Sequence, residues 1–321
     1  MKAAVVSAFD TPPRFLGFPA PIPAADDEIV VDVLAAGLHP RVRSQADGSH
    51  YTSTDELPLV PGIDGVGRDA DGELRYFVLP DTSMGAMAEQ TVIDPRRSIV
   101  LPEGTDPITI AAGMNPAMSS WVALRHRIRF TAGQSVLVLG ATGSAGQLAV
   151  QVAKHFGADR IIAAGRNAER LAALPALGAT DTVLLDGDPD DVAARLGAAA
   201  GDVDVVLDYL WGAPATAAMV AVVTARPDRG VPLAWVQIGA VAGRTAAIPA
   251  EALRAARLQI IGSGQGSVDT RAFLTELPAI AAEITSGAFD LDVSAVPLAD
   301  VEQAWSDAAT SRSRIVITPG L

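Results

Sequence analysis

The chain has 321 residues, of which 49% are hydrophobic and 19% charged, which excludes a disordered chain and allows one large domain or two ordinary ones. Its formal charge of −13 disfavours a nucleic-acid partner, because that average charge repels a phosphate backbone. The absence of cysteine excludes disulfides, thiolate nucleophiles and zinc sites that need sulfur ligands.

The first part of the chain, to about residue 115, contains short apolar or alternating segments separated by Pro and Gly. The predicted strands cover residues 3–9, 28–38, 74–80, 88–94 and 98–102. Strands of this length with polar turns between them predict a compact β-domain such as a barrel. The pattern then changes, and residues 117–128 are predicted to form a helix that leads into the second part.

The second part alternates apolar strands with amphipathic helices. The predicted strands cover residues 135–140, 160–165, 181–186, 204–210, 233–239 and 258–263. Adjacent Val, Leu and Ile residues are typical of strands buried on both faces of a parallel sheet. The fold class predicted here is therefore α/β, with a doubly wound parallel six-stranded sheet. A helix and a final strand-like segment, residues 314–318, follow it.

A glycine-rich loop follows the first of these strands and opens a helix. Gly140, Gly143 and Gly146 are spaced as G-x-x-G-x-x-G, which permits a tight turn and leaves backbone N–H groups free to hold a pyrophosphate. Glycines at such a joint can also serve the backbone alone. The strand before the loop and the helix after it favour dinucleotide binding. The predicted contacts are Thr142, Gly143, Ser144, Ala145 and Gly146.

The end of the second strand indicates which dinucleotide is bound. An NAD site carries an acidic residue there for the ribose 2′-hydroxyl, whereas this chain has Gly165, Arg166 and Asn167. A guanidinium suits a 2′-phosphate, and Arg170, one turn into the next helix, would add to it. The alternative is that Arg166 is solvated and Asn167 only caps a helix. We expect NADPH rather than NADH.

Several segments, in this order, resemble the zinc-independent quinone oxidoreductase branch of the medium-chain dehydrogenase/reductase superfamily. They are AAGLHPRVRSQADG, LPLVPGIDGVG, SSWVAL, GATGSAGQLAVQVAKHFGA, DVVLDYLWG and PLADVEQAW with SRIVITP. The resemblance implies a GroES-like catalytic β-domain over 1–118 and a Rossmann NADPH-binding domain over 119–260. It also implies a C-terminal segment, 261–321, that returns to the first domain.

The same resemblance bears on metals and on the acceptor. Zinc alcohol dehydrogenases of the superfamily carry a catalytic Cys, a G-H-E motif and a four-Cys lobe. This chain has His39 near the first position, Gly62, Ile63 and Asp64 at the second, and no lobe. We therefore expect no metal. An acceptor that takes hydride without a Lewis acid is a conjugated carbonyl such as a quinone, an enone or an enoyl thioester.

The resemblance also suggests two catalytic candidates. His39 stands where the branch has an Asn beside the pocket, so it would donate a hydrogen bond or relay a proton; otherwise it is a structural or surface His. Tyr51 lies near an aromatic that lines the family's substrate cleft, with His50 competing for that position, and an ordinary loop Tyr is the alternative. The other pocket Tyr of the family is replaced by Ser44.

Five further cofactor contacts are expected from the resemblance and from the position of strand ends. Ser119 matches a Thr on the nicotinamide side, and Arg314 stands where relatives have a basic residue near the cofactor. Ile238, Gly239 and Ser263 follow strands five and six, where a doubly wound sheet places its ligand. Alternatively, Ser119 only begins a helix and Arg314 is a solvated charge.

Three carboxylates, Asp64, Glu89 and Asp208, could be proposed as general bases, but we do not expect them to act as such. By the resemblance Asp64 sits at a structural Glu of the branch. Asp208 ends a strand, where an acid often caps the next helix.

The sequence therefore predicts an NADPH-dependent, metal-free reductase that transfers hydride to quinones or other conjugated carbonyls. An enoyl-thioester reductase is an alternative, and so is a non-catalytic NADPH-binding sensor or crystallin-like protein. No segment reaches the roughly 18–20 apolar residues of a membrane span, and no secretory signal is evident, so we expect a cytoplasmic protein. By resemblance it would form a homodimer through the strand at 258–264.

Overall fold

The computed structural model describes residues 1–264 and 266–320. The chain divides into two compact units, Met1–Asn115 with Leu274–Leu321, and Pro116–Phe273. Among the described residues, no helix combines the length and the apolar character needed to cross a membrane.

The strands and helices alternate more regularly in the second unit than in the first. The strands are β1 Lys2–Val5, β2 Arg14–Gly17, β3 Ile29–Gly37, β4 Asp64–Arg68, β5 Leu74–Val78, β6 Gln90–Ile93, β7 Ser98–Val100, β8 Ser135–Leu139, β9 Arg160–Gly165, β10 Asp181–Leu184, β11 Val205–Asp208, β12 Leu233–Gln237, β13 Leu258–Gly262, β14 Val293–Pro297 and β15 Arg314–Thr318. The α-helices are α1 Pro40–Ala46, α2 Pro107–Val122, α3 Ser144–His155, α4 Ala168–Leu177, α5 Pro189–Ala200, α6 Gly212–Ala225, α7 Ala250–Ala255, α8 Thr270–Thr285 and α9 Val301–Asp307.

The first unit is built on a seven-stranded sheet to which both ends of the chain contribute. Its order is β14-β15-β3-β4-β5-β7, and β6 pairs with β3. All pairings in it are antiparallel except that of β14 with β15. The last strand joins the sheet by pairing with β3, with Val316 opposite Gly37. The core beneath the sheet includes Leu59, Phe77 and Met87.

Strand β4 was not predicted from the sequence, and its glycines are the reason. Gly65 and Gly67 lower the strand propensity of the segment. In the structure, a Cβ on Gly65 would lie 2.9 Å from the Ala35 carbonyl oxygen, and one on Gly67 would lie 3.0 Å from the Asp32 carbonyl oxygen. Glycine is therefore needed for the close approach of β4 to β3.

Helix α2 begins at Pro107, ten residues before the predicted start, so that prediction was wrong. Asp106 caps it by accepting from the N–H groups of Ile108 and Thr109, each at 3.1 Å. A capping Asp followed by Pro is a strong start signal. This signal is obscured in the sequence because Pro116, inside the helix, is typical of a helix boundary.

The second unit contains a parallel six-stranded sheet in the order β10-β9-β8-β11-β12-β13, which confirms the predicted fold class. The chain moves outward from β8 through β9 to β10, then returns to the other side of β8 with β11. The carboxyl ends of β8 and β11 therefore form the switch point at which doubly wound sheets bind ligands. The buried runs Val136–Leu139 and Ile161–Ala164 are the apolar strand centres that such a sheet requires.

Candidate cofactor and active site

The glycine-rich loop after β8 is shaped for close contact between backbone and ligand. Gly140 has a φ of 86°, in the left-handed region that favours glycine. A Cβ on Gly146 would lie 2.3 Å from the Gly140 carbonyl oxygen, so no side chain fits there. Helix α3 has Gly143 at its N-cap, with no side chain on the cap, and the Gln147 N–H donates to the Gly143 carbonyl at 2.9 Å.

It follows that the first N–H groups of α3, on Ser144, Ala145 and Gly146, have no acceptor within the helix. Free N–H groups combined with the positive end of the helix dipole bind phosphate groups. Thr142 and Ser144 are half-buried beside them and Gly143 is exposed. The loop residues predicted from the sequence therefore fit the pyrophosphate of a dinucleotide.

The end of β9 packs directly against this loop. A Cβ on Gly165 would lie 2.6 Å from the Thr142 methyl carbon, and Arg170 Nη1 lies 3.4 Å from the Thr142 carbonyl oxygen. The Asn167 side chain caps α4 by accepting from the Arg170 N–H at 2.9 Å. Asn167 therefore caps a helix, whether or not it also contacts a ligand.

Arg166 differs from its neighbours because nothing in the described chain holds it. Its side chain is exposed, and among the described residues it makes no hydrogen bond or ion pair. It follows a strand end whose neighbour in the sheet carries the glycine loop. A guanidinium in this place is available to a phosphate on the ribose.

Ser119 lies against a tyrosine at the switch point that the sequence analysis did not single out. The Ser119 hydroxyl donates to the Pro116 carbonyl at 2.7 Å, so its contact of 2.9 Å with the Tyr209 hydroxyl has the tyrosine as donor. Burial raises the pKa of Tyr209 to about 12, with Ser119 and Ser120 acting in the opposite direction. Tyr209 therefore stays protonated. Its place directly after β11 was the signal that could have found it.

The predicted contacts after β12 and β13 lie at the same sheet edge. The N–H groups of Ile238 and Gly239 both donate to the Asp208 carbonyl, at 2.8 and 3.0 Å. A Cβ on Gly239 would lie 2.7 Å from the Tyr209 carbonyl oxygen, so the backbone passes closely there. Ser263 is buried and its N–H donates to the Gln237 carbonyl at 2.8 Å.

Asp208 organises the turn between β11 and α6. One carboxylate oxygen accepts from the N–H groups of Leu210 and Trp211, at 2.8 and 3.0 Å, and the other accepts from Trp235 Nε1 at 2.9 Å. Burial raises the pKa of Asp208, and these donors offset part of that shift. The bonds hold Trp211 at a φ of 52° and a ψ of −168°, a conformation that is costly for any residue except glycine.

In the first unit, His39 belongs to a buried polar cluster around Asp64. His39 is only 4% exposed, so it is not a surface histidine. Its Nε2 lies 3.1 Å from Asp64 Oδ1, and the Tyr76 hydroxyl donates to Asp64 Oδ2 at 2.9 Å. Burial lowers the pKa of His39; Asp64 opposes this shift, while Arg314 and Arg41 reinforce it.

Arg314 completes this cluster and is not a solvated charge. The residue is 8% exposed, and its Nε and Nη2 are buried with no hydrogen-bond partner among the described residues. Burial lowers the pKa of Arg314 to about 10, with the charge of Asp64 opposing. A buried cation with two unused donors is able to bind an anionic or carbonyl oxygen.

Tyr51 lies in a different environment from His39. It is 70% exposed, and its ring lies against that of His50 with the centroids 4.2 Å apart. The loop is anchored by the next residue, Thr52, whose hydroxyl bonds Asp81 and accepts from Arg41 Nη2 at 2.7 Å. Tyr51 therefore lies in ring contact with His50, the other candidate for its position, whereas His39 is hydrogen-bonded to Asp64.

The side chains of His39 and Asp64 do not fit a catalytic zinc ion. Nε2 of His39 and both oxygens of Asp64 are engaged with each other or with Tyr76, and the charge of Arg314 acts on the same residues. The chain has no cysteine. Within residues 1–264 and 266–320, no group of three or more His, Asp or Glu side chains is arranged to hold a metal ion.

Comparison with known proteins agrees with this arrangement. A family model described as zinc-binding dehydrogenase matches residues 145–282. A probable NADPH-dependent quinone reductase of Emericella nidulans is 31% identical, over 99% of this chain and 100% of its own. A chloroplastic NADPH-dependent alkenal/one oxidoreductase of Arabidopsis thaliana is 30% identical, over 48% of this chain and 44% of its own.

A solved structure extends the similarity to the whole fold. The quinone oxidoreductase of Thermus thermophilus, described also in complex with NADPH, superposes with a TM-score of 0.82 at 25% identity, over 99% of this chain and 100% of its own. Together with the glycine loop and the switch point, these findings show that the chain belongs to the quinone oxidoreductase branch of the medium-chain dehydrogenase/reductase superfamily.

Proposed function

We propose that this protein is an NADPH-dependent oxidoreductase that reduces quinones or other conjugated carbonyl compounds. The observation that carries the proposal is the glycine loop before α3, followed at the end of β9 by Arg166, which has no partner within the described chain. The relatives named as an NADPH-dependent quinone reductase and an alkenal/one oxidoreductase support the cofactor and the acceptor class.

The residues of the second unit serve to bind and orient the cofactor. The N–H groups of Ser144, Ala145 and Gly146 hold the pyrophosphate, and Arg166 binds the 2′-phosphate. Ser119 and the segment at Ile238–Gly239 lie at the switch point, where the nicotinamide end belongs. NADPH supplies the hydride when bound.

The residues of the first unit serve the acceptor. Reduction of a conjugated carbonyl develops negative charge on its oxygen, and hydrogen-bond donors or cations stabilise that charge. We propose His39 and Tyr51 as the groups that contact the acceptor, with Arg314 as a buried positive charge beside His39. Because the His39 and Asp64 side chains are already paired, we propose that the reaction needs no metal.

The test is the oxidation of NADPH, followed by its loss of absorbance, with ortho- and para-quinones, an enone and an enoyl thioester. NADH is run in parallel, and a metal chelator is present throughout. Turnover of a quinone or enone with NADPH under chelation is the expected result. A preference for the enoyl thioester would select the alternative acceptor, and tight NADPH binding without turnover on any acceptor would contradict the proposal.

We also propose a homodimer formed through β13. This strand ends the six-stranded sheet, and its Leu258, Ile260 and Ile261 are half-buried; an apolar edge strand of this kind tends to pair with a second chain. Light scattering after size-exclusion chromatography checks the mass. A monomer at micromolar concentration would contradict the dimer. The cytoplasmic location stays a prediction.

A further inference from the structure

The sheet of the first unit brings His39 and Arg314 together by its register. Strands β3 and β15 are antiparallel, with Gly37 opposite Val316, and the Leu38 N–H donates to the Ile315 carbonyl at 2.9 Å. Continued by two residues, this register places His39 opposite Arg314. The charge of the arginine accordingly lowers the pKa of the histidine.

The same sheet brings Tyr76 to Asp64. Strands β4 and β5 pair Val66 with Tyr76. Because side chains alternate between the two faces of a sheet, Asp64 lies on the same face as Val66 and is a diagonal neighbour of Tyr76. Burial and the charge of Asp64 raise the pKa of Tyr76 well above its ordinary value. The phenol therefore keeps its proton and donates a hydrogen bond to Asp64.

These contacts determine which nitrogen of His39 carries a proton. An ionised carboxylate only accepts hydrogen bonds, so the 3.1 Å contact requires a proton on Nε2. Tyr76 donates to the second oxygen of Asp64. With Nε2 committed, Nδ1 is the nitrogen that remains for a ligand, and in the neutral ring it is an acceptor.

We propose that Asp64 is a positioning residue for the reaction, which holds His39 in the Nε2–H tautomer and thereby makes Nδ1 the atom that exchanges a proton with the acceptor oxygen. This inference rests on the proposed function. The neutral ring first takes a proton from solvent at Nδ1 and becomes the imidazolium. The acceptor then takes two electrons with the hydride and one proton from Nδ1–H, whose N–H bond breaks as the O–H bond forms. The neutral imidazole left behind keeps its bond to Asp64 and regains a proton from solvent.

The groups that face His39 set the pH range of this exchange. Asp64 favours the charged imidazolium, whereas burial, Arg314 and Arg41 oppose it, and Tyr76 is neutral. Replacing Asp64 by Asn removes the only group among these that favours the charge. It also offers an amide N–H to the ring, which would favour the wrong tautomer.

The first test is the tautomer itself, measured by 15N NMR of the imidazole rings without any substrate. The chain has four histidines, and His39→Asn identifies the signal. We expect a protonated Nε2 and a bare Nδ1 in the wild-type protein at neutral pH, and a mixture or the reverse in Asp64→Asn. A bare Nε2 in the wild-type protein would overturn the proposal.

The second test is a double-mutant cycle on turnover with the best acceptor. We expect His39→Asn to lower kcat about 100-fold, a usual value for loss of a general acid, and Asp64→Asn to lower it by a similar factor with little change in the Kd of NADPH. In the His39→Asn background, Asp64→Asn should then change kcat less than about twofold, because Asp64 acts through the ring. If Asp64→Asn lowered kcat by the same factor in the wild-type and His39→Asn proteins, the Asp64 carboxylate would have a merely structural role.

Two controls separate this proposal from its alternatives. Asp32→Asn removes an exposed carboxylate from β3, bonded only to Gln90 among the described residues, and should leave kcat unchanged. Tyr76→Phe removes one hydrogen-bond donor from Asp64 without a charge change, so a shift of the pH profile in this variant would support the network if Asp64→Asn fails to fold; an unchanged profile would overturn it. If the wild-type protein reduces no acceptor, the proposed function fails while the NMR result still decides the tautomer.

Discussion

Substitution of Arg166 by Ala tests the cofactor assignment most directly. The guanidinium is exposed and makes no hydrogen bond or ion pair among the described residues, so its removal breaks no polar interaction within the described fold. Stability and the Kd of NADH should therefore stay close to wild type. Any large effect on NADPH must come from the interaction with the 2′-phosphate.

The size of that effect follows from the kind of bond. A hydrogen bond to a charged group contributes about 1.5–3 kcal/mol. Exposure places Arg166 at the lower half of that range, so a loss of about 2 kcal/mol, or roughly 30-fold in Kd, is expected. The preference for NADPH over NADH should fall by the same factor in the variant. In the wild-type protein this preference should weaken as salt is raised, because salt screens the attraction between Arg166 and the phosphate.

Isothermal titration with NADPH and NADH measures both constants for each variant. Arg254→Ala is the matched control, because Arg254 is an exposed arginine on α7 of the same unit whose ion pairing, among the described residues, is a long contact of 3.9 Å to Glu251. It reports the effect of losing one positive charge anywhere on the surface. Equal losses for the two cofactors in Arg166→Ala, or equal losses in both variants, would refute the 2′-phosphate assignment.

Three further changes test the fold and the site. Gly146→Ala should abolish NADPH binding in titrations, because its Cβ would lie 2.3 Å from the Gly140 carbonyl oxygen; wild-type affinity would contradict the shape argued for the loop. Arg226→Met should lower the free energy of unfolding by about 3 kcal/mol or more in denaturant titrations, because this buried side chain donates to the carbonyls of residues 201, 203, 231 and 232; a loss no larger than that of the more exposed Arg160→Met would contradict it. Because burial lowers the pKa of His39 below 6.5, the unfolded chain binds this proton more tightly, and stability is present above pH 6.5 and falls as the pH drops below it. His39→Asn should flatten the curve of stability against pH below pH 6.5. An unchanged slope would show that another group causes the loss of stability.

Much of the second unit could be predicted from the sequence because its signals are local. Runs such as Val136–Leu139 identify a strand buried on both faces wherever they occur. The glycines of the loop after β8 encode a turn whose conformation other residues cannot adopt. The six strands and the cofactor loop were therefore predicted within a few residues of their observed bounds.

The first unit was harder to predict because its pairings are distant in the chain. Gly65 and Gly67 argue locally against a strand, and only the approach of β3 explains them. Similarly, the start of α2 at Pro107 was hidden by a proline inside the helix. For β4 a tertiary contact overrides the local preference, whereas for α2 one local signal obscured another.

The sequence by itself determined the fold class, the dinucleotide loop and the absence of an acidic residue at the end of β9, since each depends on a short stretch of chain. Only the tertiary structure decided the surroundings of His39. Asp64, Tyr76 and Arg314 lie 25, 37 and 275 residues from it in the numbering, and the pairing of β3 with β15 and β4, and of β4 with β5, brings them together. A histidine's tautomer and charge depend on such neighbours and on burial, which no local pattern of residues records.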